Sequence, residues 1–262
     1  MILFFIGWYI YTPKKRKFIT NYDILLLVSD MVINRVDPIF YNIIIIVSII
    51  VGIIYILMSL YNEKKLNKNI ILFIIMFFVF AIFGGKLYTY VMYDLEDTLM
   101  ESSLSAYGGL VSVVLASIVY EAIYPTKKRV IKYTILSLPL IYSFTKIGCS
   151  LIGCCEGIPY NGPLNITYPH QHAFSLFPIQ PLEVIVFFIL FIFVNKNKNR
   201  KDIEYITLLF IAVLKYLVEF LRLSETSTII NPNQMFSLIL FVCTLVVYII
   251  NYHIRRHHFS WR

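Results

Sequence analysis

Seven long apolar runs decide what this 262-residue chain can fold into. They fall at 40–61, 70–93, 106–125, 130–152, 178–195, 203–222 and 235–252. A membrane-spanning helix needs roughly 20 mainly apolar residues, with a lower bound of about 17, and each run meets that length. Hydrophobic residues make up 59% of the chain, against about 45–50% apolar usage in soluble domains, which is too much apolar surface for water. The sequence therefore reads as an all-α polytopic membrane protein of seven transmembrane helices with short loops. Residues 37–262 form its membrane domain.

Residues 1–36 read as a separate, interfacial extension. The apolar piece 2–12 is too short to span, and 18–36 carry Asp23, Asp30 and Arg35 among apolar residues, as an amphipathic arm would. No cleavable signal peptide is evident, because Lys14-Lys15-Arg16-Lys17 follows the apolar stretch instead of preceding it.

The net charge of +8 could suit nucleic acid, yet its cations stand in clusters between the apolar runs. That distribution sets membrane topology and is not a nucleic-acid surface. Glu63, Lys64, Lys65 and Lys68 give one loop +2, and Lys127, Lys128, Arg129 and Lys132 give another +4. The 196–204 loop and the tail, with Arg255, Arg256 and Arg262, are also basic. The loop with Asp94, Glu96, Asp97 and Glu101 is acidic, and 156–177 is almost neutral. Basic loops stay in the cytoplasm, so residue 40 is expected outside and the C-terminus in the cytoplasm. No inverted repeat of the transporter kind is evident.

Ionisable groups inside a span cost several kcal/mol and usually mark function. Lys86, Lys146, Glu183, Lys215, Glu219 and Arg222 are of this kind, and the topology places all six towards the outer leaflet. Spacings of four and three put Lys215, Glu219 and Arg222 on one helix face. Four cations against two acids make a net positive pocket at headgroup depth, whose natural occupant is a phospholipid phosphate. The plainer alternative is cations that snorkel to the interface, with Lys215–Glu219 as a structural pair. The Gly84-Gly85 and Gly108-Gly109 pairs would allow close approach of a ligand or of another helix.

Four cysteines are too few for a disulfide scaffold. Three of them, Cys149, Cys154 and Cys155, share one segment, and four readings of it stay open: helix packing, substrate-site lining, a redox couple and a metal site. His170 or His172 could complete a zinc set. No metal is assigned, because the spacing matches no common zinc pattern and adjacent cysteines rarely ligate one ion. Cys243, in mid-span, reads as packing.

These pieces resemble, in order, the motifs of the prolipoprotein diacylglyceryl transferase family. Phe83-Gly84-Gly85-Lys86-Leu87 is similar to its Gly-Gly-Arg turn, and Tyr107-Gly108-Gly109-Leu110 to its His-Gly-Gly-Leu. Lys146-Ile147-Gly148-Cys149, running on to Gly157, is similar to its Arg-Leu-Gly-Asn signature. Pro178-Ile179-Gln180-Pro181-Leu182-Glu183 is similar to its His-Pro-Ser-Gln-Leu-Tyr-Glu, and Lys215 to Arg222 to its Arg…Glu…Arg helix. The match covers about 37–252. It implies transfer of diacylglyceryl from phosphatidylglycerol to the lipobox cysteine of a lipoprotein precursor, without a cofactor, in a bacterial plasma membrane and at a site facing the outer leaflet.

On that resemblance Lys146 and Lys215 would hold phosphate, Glu219 would orient a cation, and Tyr107 would lie near the reacting centre. Lys86, Gly108, Gly109, Gly148, Cys149, Cys154, Gly157, Gln180, Glu183 and Arg222 would contact substrate. The sequence departs from the family at its most chemical positions. Family arginines are Lys86, Lys146 and Lys215; the family histidine is Tyr107; the family asparagine is Cys149; and a nearby glutamate aligns with Cys154. No counterpart to the family's first-span tyrosine is evident. A non-catalytic phospholipid-binding protein of the same fold and an exoplasmic thiol oxidoreductase are the alternative readings.

Overall fold

The computed structural model describes residues 38–259, apart from 67, 93–97, 100–101, 103, 127–128, 168–173 and 224–230. The expected extension at 1–36 and the ligands suggested at His170 and His172 lie outside the described residues. Among them run α1 (Pro38–Asn62), α2 (Ile70–Met92), α3 (Ala106–Ile123), α4 (Arg129–Ile152), α5 (Ile179–Lys196), α6 (Ile203–Glu219) and α7 (Pro232–Phe259). Each falls on one of the seven apolar runs. Hydrocarbon leaves a backbone no water to bond, so a single apolar segment must pair its own N–H and C=O groups, and the helix does so.

Six of the helices, α1 to α5 and α7, are long and apolar enough to cross a membrane. The sixth run is a shorter helix than expected: α6 has 17 residues. It stops at Glu219, so Arg222 lies past its end, beyond a two-residue turn and in a bridge to Gly157, and not on the helix face. Outward faces such as Ile43, Ile46, Ile50 and Ile54 of α1 and Ile71, Ile75, Val79 and Ile82 of α2 are exposed and apolar. Helices apolar on their outer as well as inner faces belong in lipid. The protein is thus a multi-pass, all-helical membrane protein.

The best-buried helix is α4, which packs against α1, α3, α5 and α6, while α2 pairs with α3 and α6 with α7. Its interior Pro139 has no N–H to donate to the preceding turn. At the end expected in the cytoplasm, Glu63 accepts from the Tyr133 hydroxyl and pairs with Arg129 Nε at 3.3 Å. Glu121 accepts from Val130 N at 2.7 Å and so caps the start of α4. The α2–α3 pair is drawn together by glycine: a Cβ on Gly108 would lie 2.1 Å from Gly84 O.

At the opposite end the described parts of the 153–178 loop pair with one another and with the chain after α6. Gly153 turns the loop with a φ of 71°. Ile158 N donates to Leu221 O at 3.0 Å and Leu223 N to Glu156 O at 2.9 Å, which ties the loop to the turn after α6. Gly157 faces Arg222 in this pairing, and a Cβ there would meet Phe177 O at 2.3 Å. The close backbone contact accounts for glycine at 157, with Phe177 and not a ligand in the space.

Candidate active site

Five of the six ionisable residues singled out in the spans converge at this end. Glu183, at the start of the second turn of α5, is fully buried and serves three cations at once. Lys146 Nζ of α4 lies 2.6 Å from its Oε2, Lys215 Nζ of α6 lies 3.2 Å from Oε1, and Arg222 Nη2 lies 3.6 Å from Oε2. Lys146 and Lys215 are each 3% exposed, which excludes the snorkelling alternative, since neither ammonium reaches water. Three cations against two carboxylates leave the cluster one positive charge in excess. Buried charge of this kind persists because removing one partner costs about 3–5 kcal/mol.

Of the two pairs the spacing suggested, Glu219–Arg222 forms and Lys215–Glu219 does not. Lys215 pairs across to α5, while Glu219 holds Arg222 Nη1 at 3.3 Å and accepts from Asn233 Nδ2 at 2.9 Å. Arg222 keeps donors to spare: its Nε and Nη2 atoms are buried and make no hydrogen bond among the described residues, although Nη2 stands near Glu183.

Aromatic rings wall in Lys215. Its Nζ sits 4.6 Å from the centre of the Tyr107 ring and 4.7 Å from that of Tyr142, and it donates to the Tyr142 hydroxyl. Cation–π attraction of this geometry is worth about 0.5–2 kcal/mol and suits a compact ammonium. The Tyr107 hydroxyl is shared with Ser237 Oγ at 3.1 Å, and its ring stacks on Tyr88. Tyr107 thus presents a ring face to the cation, at the position the resemblance gives to the family's histidine.

A cavity of about 350 Å³ opens beside these groups. Lys146, Lys215, Arg222, Tyr107, Asn233, Cys149 and Cys155 line it at the helix ends, and Ile45, Ile49, Phe77, Val113 and Ile141 line it deeper in the bundle. Tyr41, on the first turn of α1, also lines it. The first span therefore does supply a tyrosine to the site, which the sequence reading did not find.

The remaining singled-out residues divide. Gly109 lines the cavity, whereas Gly108 serves the α2–α3 contact. Gly148 lets α4 close on Tyr41 and Ile44 of α1, where a Cβ would find 3.3 Å. Gln180 is buried and donates to Cys154 O at 2.8 Å, fixing the cysteine loop. Lys86 donates to Ser102 O at 3.1 Å, in the segment after α2. Thiol hydrogen bonds from Cys149 and Cys154, then the charges of Lys146 and Arg222, hold the Cys155 thiol well below its ordinary range.

Sequence reasoning missed Tyr142 and Asn233. Tyr142 stands four residues before Lys146 and so shares its helix face, a usable signal. Asn233 was hidden in a polar helix start: Asn231 and Gln234 exchange hydrogen bonds at 2.8 and 3.1 Å in the manner of a capping box, with Pro232 opening α7.

A cation-lined, half-apolar cavity at one end of a bundle of membrane-length helices defines an integral membrane protein with a site suited to an anionic amphiphile. The chain belongs to the prolipoprotein diacylglyceryl transferase family, whose sequence model matches residues 31–250. A curated relative, phosphatidylglycerol–prolipoprotein diacylglyceryl transferase 2 of Clostridium perfringens (strain 13 / Type A), is 26% identical over 217 residues. That alignment takes in 73% of this chain and 80% of the relative.

Proposed function

We propose that this transferase moves the diacylglyceryl group of phosphatidylglycerol to the cysteine thiol of a lipoprotein precursor. One S–C bond forms at the glyceryl carbon, its C–O bond to phosphate breaks, glycerol phosphate departs and the thiol proton is released. The observation that carries the reading is Arg222, half-buried on the cavity wall with Nε and Nη2 shielded from solvent and without a hydrogen bond among the described residues. Lys146 and Lys215 stand on the same wall. Fixed cations where phosphate charge develops lower the barrier to its departure.

In this reading Arg222 makes the forked contact to the phosphate, and Lys146 and Lys215 add charge from behind. Glu183 and Glu219 hold the cations in place. Gly109 and Cys149 border the lipid, and the cavity admits a headgroup and glyceryl unit while the acyl chains run along its apolar wall. The membrane domain is 37–262, with 1–36 as an interfacial arm. Loop charge supports a cytoplasmic C-terminus and a site opening to the outer leaflet, and the family supports a bacterial plasma membrane.

The test is the purified protein in detergent with phosphatidylglycerol and a synthetic lipobox-cysteine peptide, read by mass spectrometry. A diacylglyceryl adduct on the thiol, absent with Arg222→Ala and Lys146→Ala, is the expected result. The ring-on placement of Tyr107 favours one rival: a lipid-binding protein without turnover. Co-purified phosphatidylglycerol beside an unmodified peptide would establish that rival and refute the transferase.

A further inference from the structure

The three cysteines of the 149–155 segment come together in a way their spacing alone does not reveal. Cys149 lies in the last turn of α4, and Cys154 N turns back to donate to Cys149 O at 3.2 Å. Gly153 and Cys155 both take positive φ, 71° and 61°, so the chain reverses twice within three residues. The second reversal removes the objection to adjacent cysteines as co-ligands, because it swings Cys155 back towards its neighbours. The three sulfurs lie within 4.8 Å of one another. Three thiolates around one ion at a metal–sulfur distance of about 2.3 Å sit roughly 4 Å apart, so small side-chain rotations complete the arrangement.

We propose that Cys149, Cys154 and Cys155 form a three-thiolate binding site for a soft, low-coordinate metal ion of the Cu(I) class. Among the described residues this group contains no histidine or carboxylate. Zinc sites want four ligands, whereas sulfur-only donors select soft ions such as Cu(I). Gln180 Nε2, donating to Cys154 O at 2.8 Å, braces the loop that carries two of the ligands. The site is open to solvent at Cys155. Its surroundings suit the charge: three thiolates and one Cu(I) carry a net −2, and Lys146 and Arg222 share the cavity wall with Cys149 and Cys155. Binding releases thiol protons and oxidises nothing.

The test is anaerobic titration of the reduced, detergent-purified full chain with Cu(I) against a chromogenic Cu(I) chelator, followed by X-ray absorption at the copper edge. One tightly held copper per chain with sulfur-only neighbours is expected. Cys149→Ser, Cys154→Ser and Cys155→Ser should each weaken it by more than about 100-fold, beyond the loss that second-sphere changes cause. Cys243→Ser, on the exposed face of α7, should bind as the parent does. Size-exclusion profiles identical to the parent's keep misfolding out of the comparison. Copper stripped from the parent as easily as from Cys154→Ser overturns the proposal, as does a copper edge showing nitrogen or oxygen neighbours. The readout is independent of lipid transfer, so it stands or falls separately from the transferase reading.

Discussion

Lys215 Nζ lies 3.2 Å from Glu183 Oε1 on the neighbouring helix, although Glu219 stands one turn along its own helix. The consequence is that Glu183 becomes the shared counter-ion of Lys146, Lys215 and Arg222, and Glu219 is left to Arg222 and the Asn231 and Asn233 amides. Cross-helix pairing ties α4, α5 and α6 together at the site. It also leaves the Lys215 ammonium held from three sides, by a carboxylate and two aromatic rings.

Glu183→Gln should therefore be among the most damaging single changes in the chain. It removes the buried carboxylate that serves three cations, and breaking a buried pair in this way costs about 3–5 kcal/mol. Glu219→Gln should cost less, since Arg222 keeps Glu183 Oε2 at 3.6 Å. Melting curves in detergent decide it: a clearly lower midpoint for Glu183→Gln than for Glu219→Gln is expected, and equal midpoints would contradict the hub.

Arg222→Lys keeps a charge but loses the guanidinium fork whose Nε and Nη2 lack hydrogen bonds. A charge-assisted hydrogen bond is worth about 1.5–3 kcal/mol, roughly ten- to a hundredfold in affinity. Phosphatidylglycerol binding measured by native mass spectrometry should weaken by that order. Lys146→Arg, which restores a forked cation beside Glu183, should bind at least as well as the parent. Unchanged binding in Arg222→Lys would take the phosphate contact away from Arg222.

Tyr107 offers a direct separation of ring from hydroxyl. If the ring face under Lys215 is what matters, Tyr107→Phe retains turnover within a few-fold. Tyr107→Ala then loses a cation–π contact worth about 0.5–2 kcal/mol, together with the stacking on Tyr88. Rates of peptide modification across the two variants give the answer. A collapse in Tyr107→Phe equal to that in Tyr107→Ala would instead make the hydroxyl, and its bond to Ser237, essential.

Much of this was legible in the sequence because its causes are local. Apolar runs and the cost of charge in hydrocarbon depend on composition alone, so the helices and the convergence of Lys146, Glu183, Lys215, Glu219 and Arg222 could be anticipated. Which carboxylate serves which cation could not, because spacing on α6 favours Lys215–Glu219 and only tertiary packing brings Glu183 closer. Lys86 shows the same limit: its depth in a span was readable, its bond to Ser102 O was not. The three thiols converge through positive φ at Gly153 and Cys155, and a cysteine gives no sequence sign that it will adopt such a backbone.

The paired glycines test whether two neighbours in one motif do different work. Gly108 has no room: a Cβ would stand 2.1 Å from Gly84 O and 2.4 Å from Tyr88 Cβ, so α2 and α3 must part to admit it. Overpacking of this kind costs about 1–3 kcal/mol, and here it would also shift Tyr107, the residue before. At Gly109 the tightest contact for a Cβ is 3.2 Å, to Ala81 O, which a shift of a few tenths of an ångström relieves. Gly108→Ala should therefore lower the melting midpoint and the turnover together. Gly109→Ala should melt as the parent does and raise KM for phosphatidylglycerol, because Gly109 borders the cavity. Equal melting losses in the two variants would mean that both glycines serve helix packing, and that the lipid lies elsewhere along the wall.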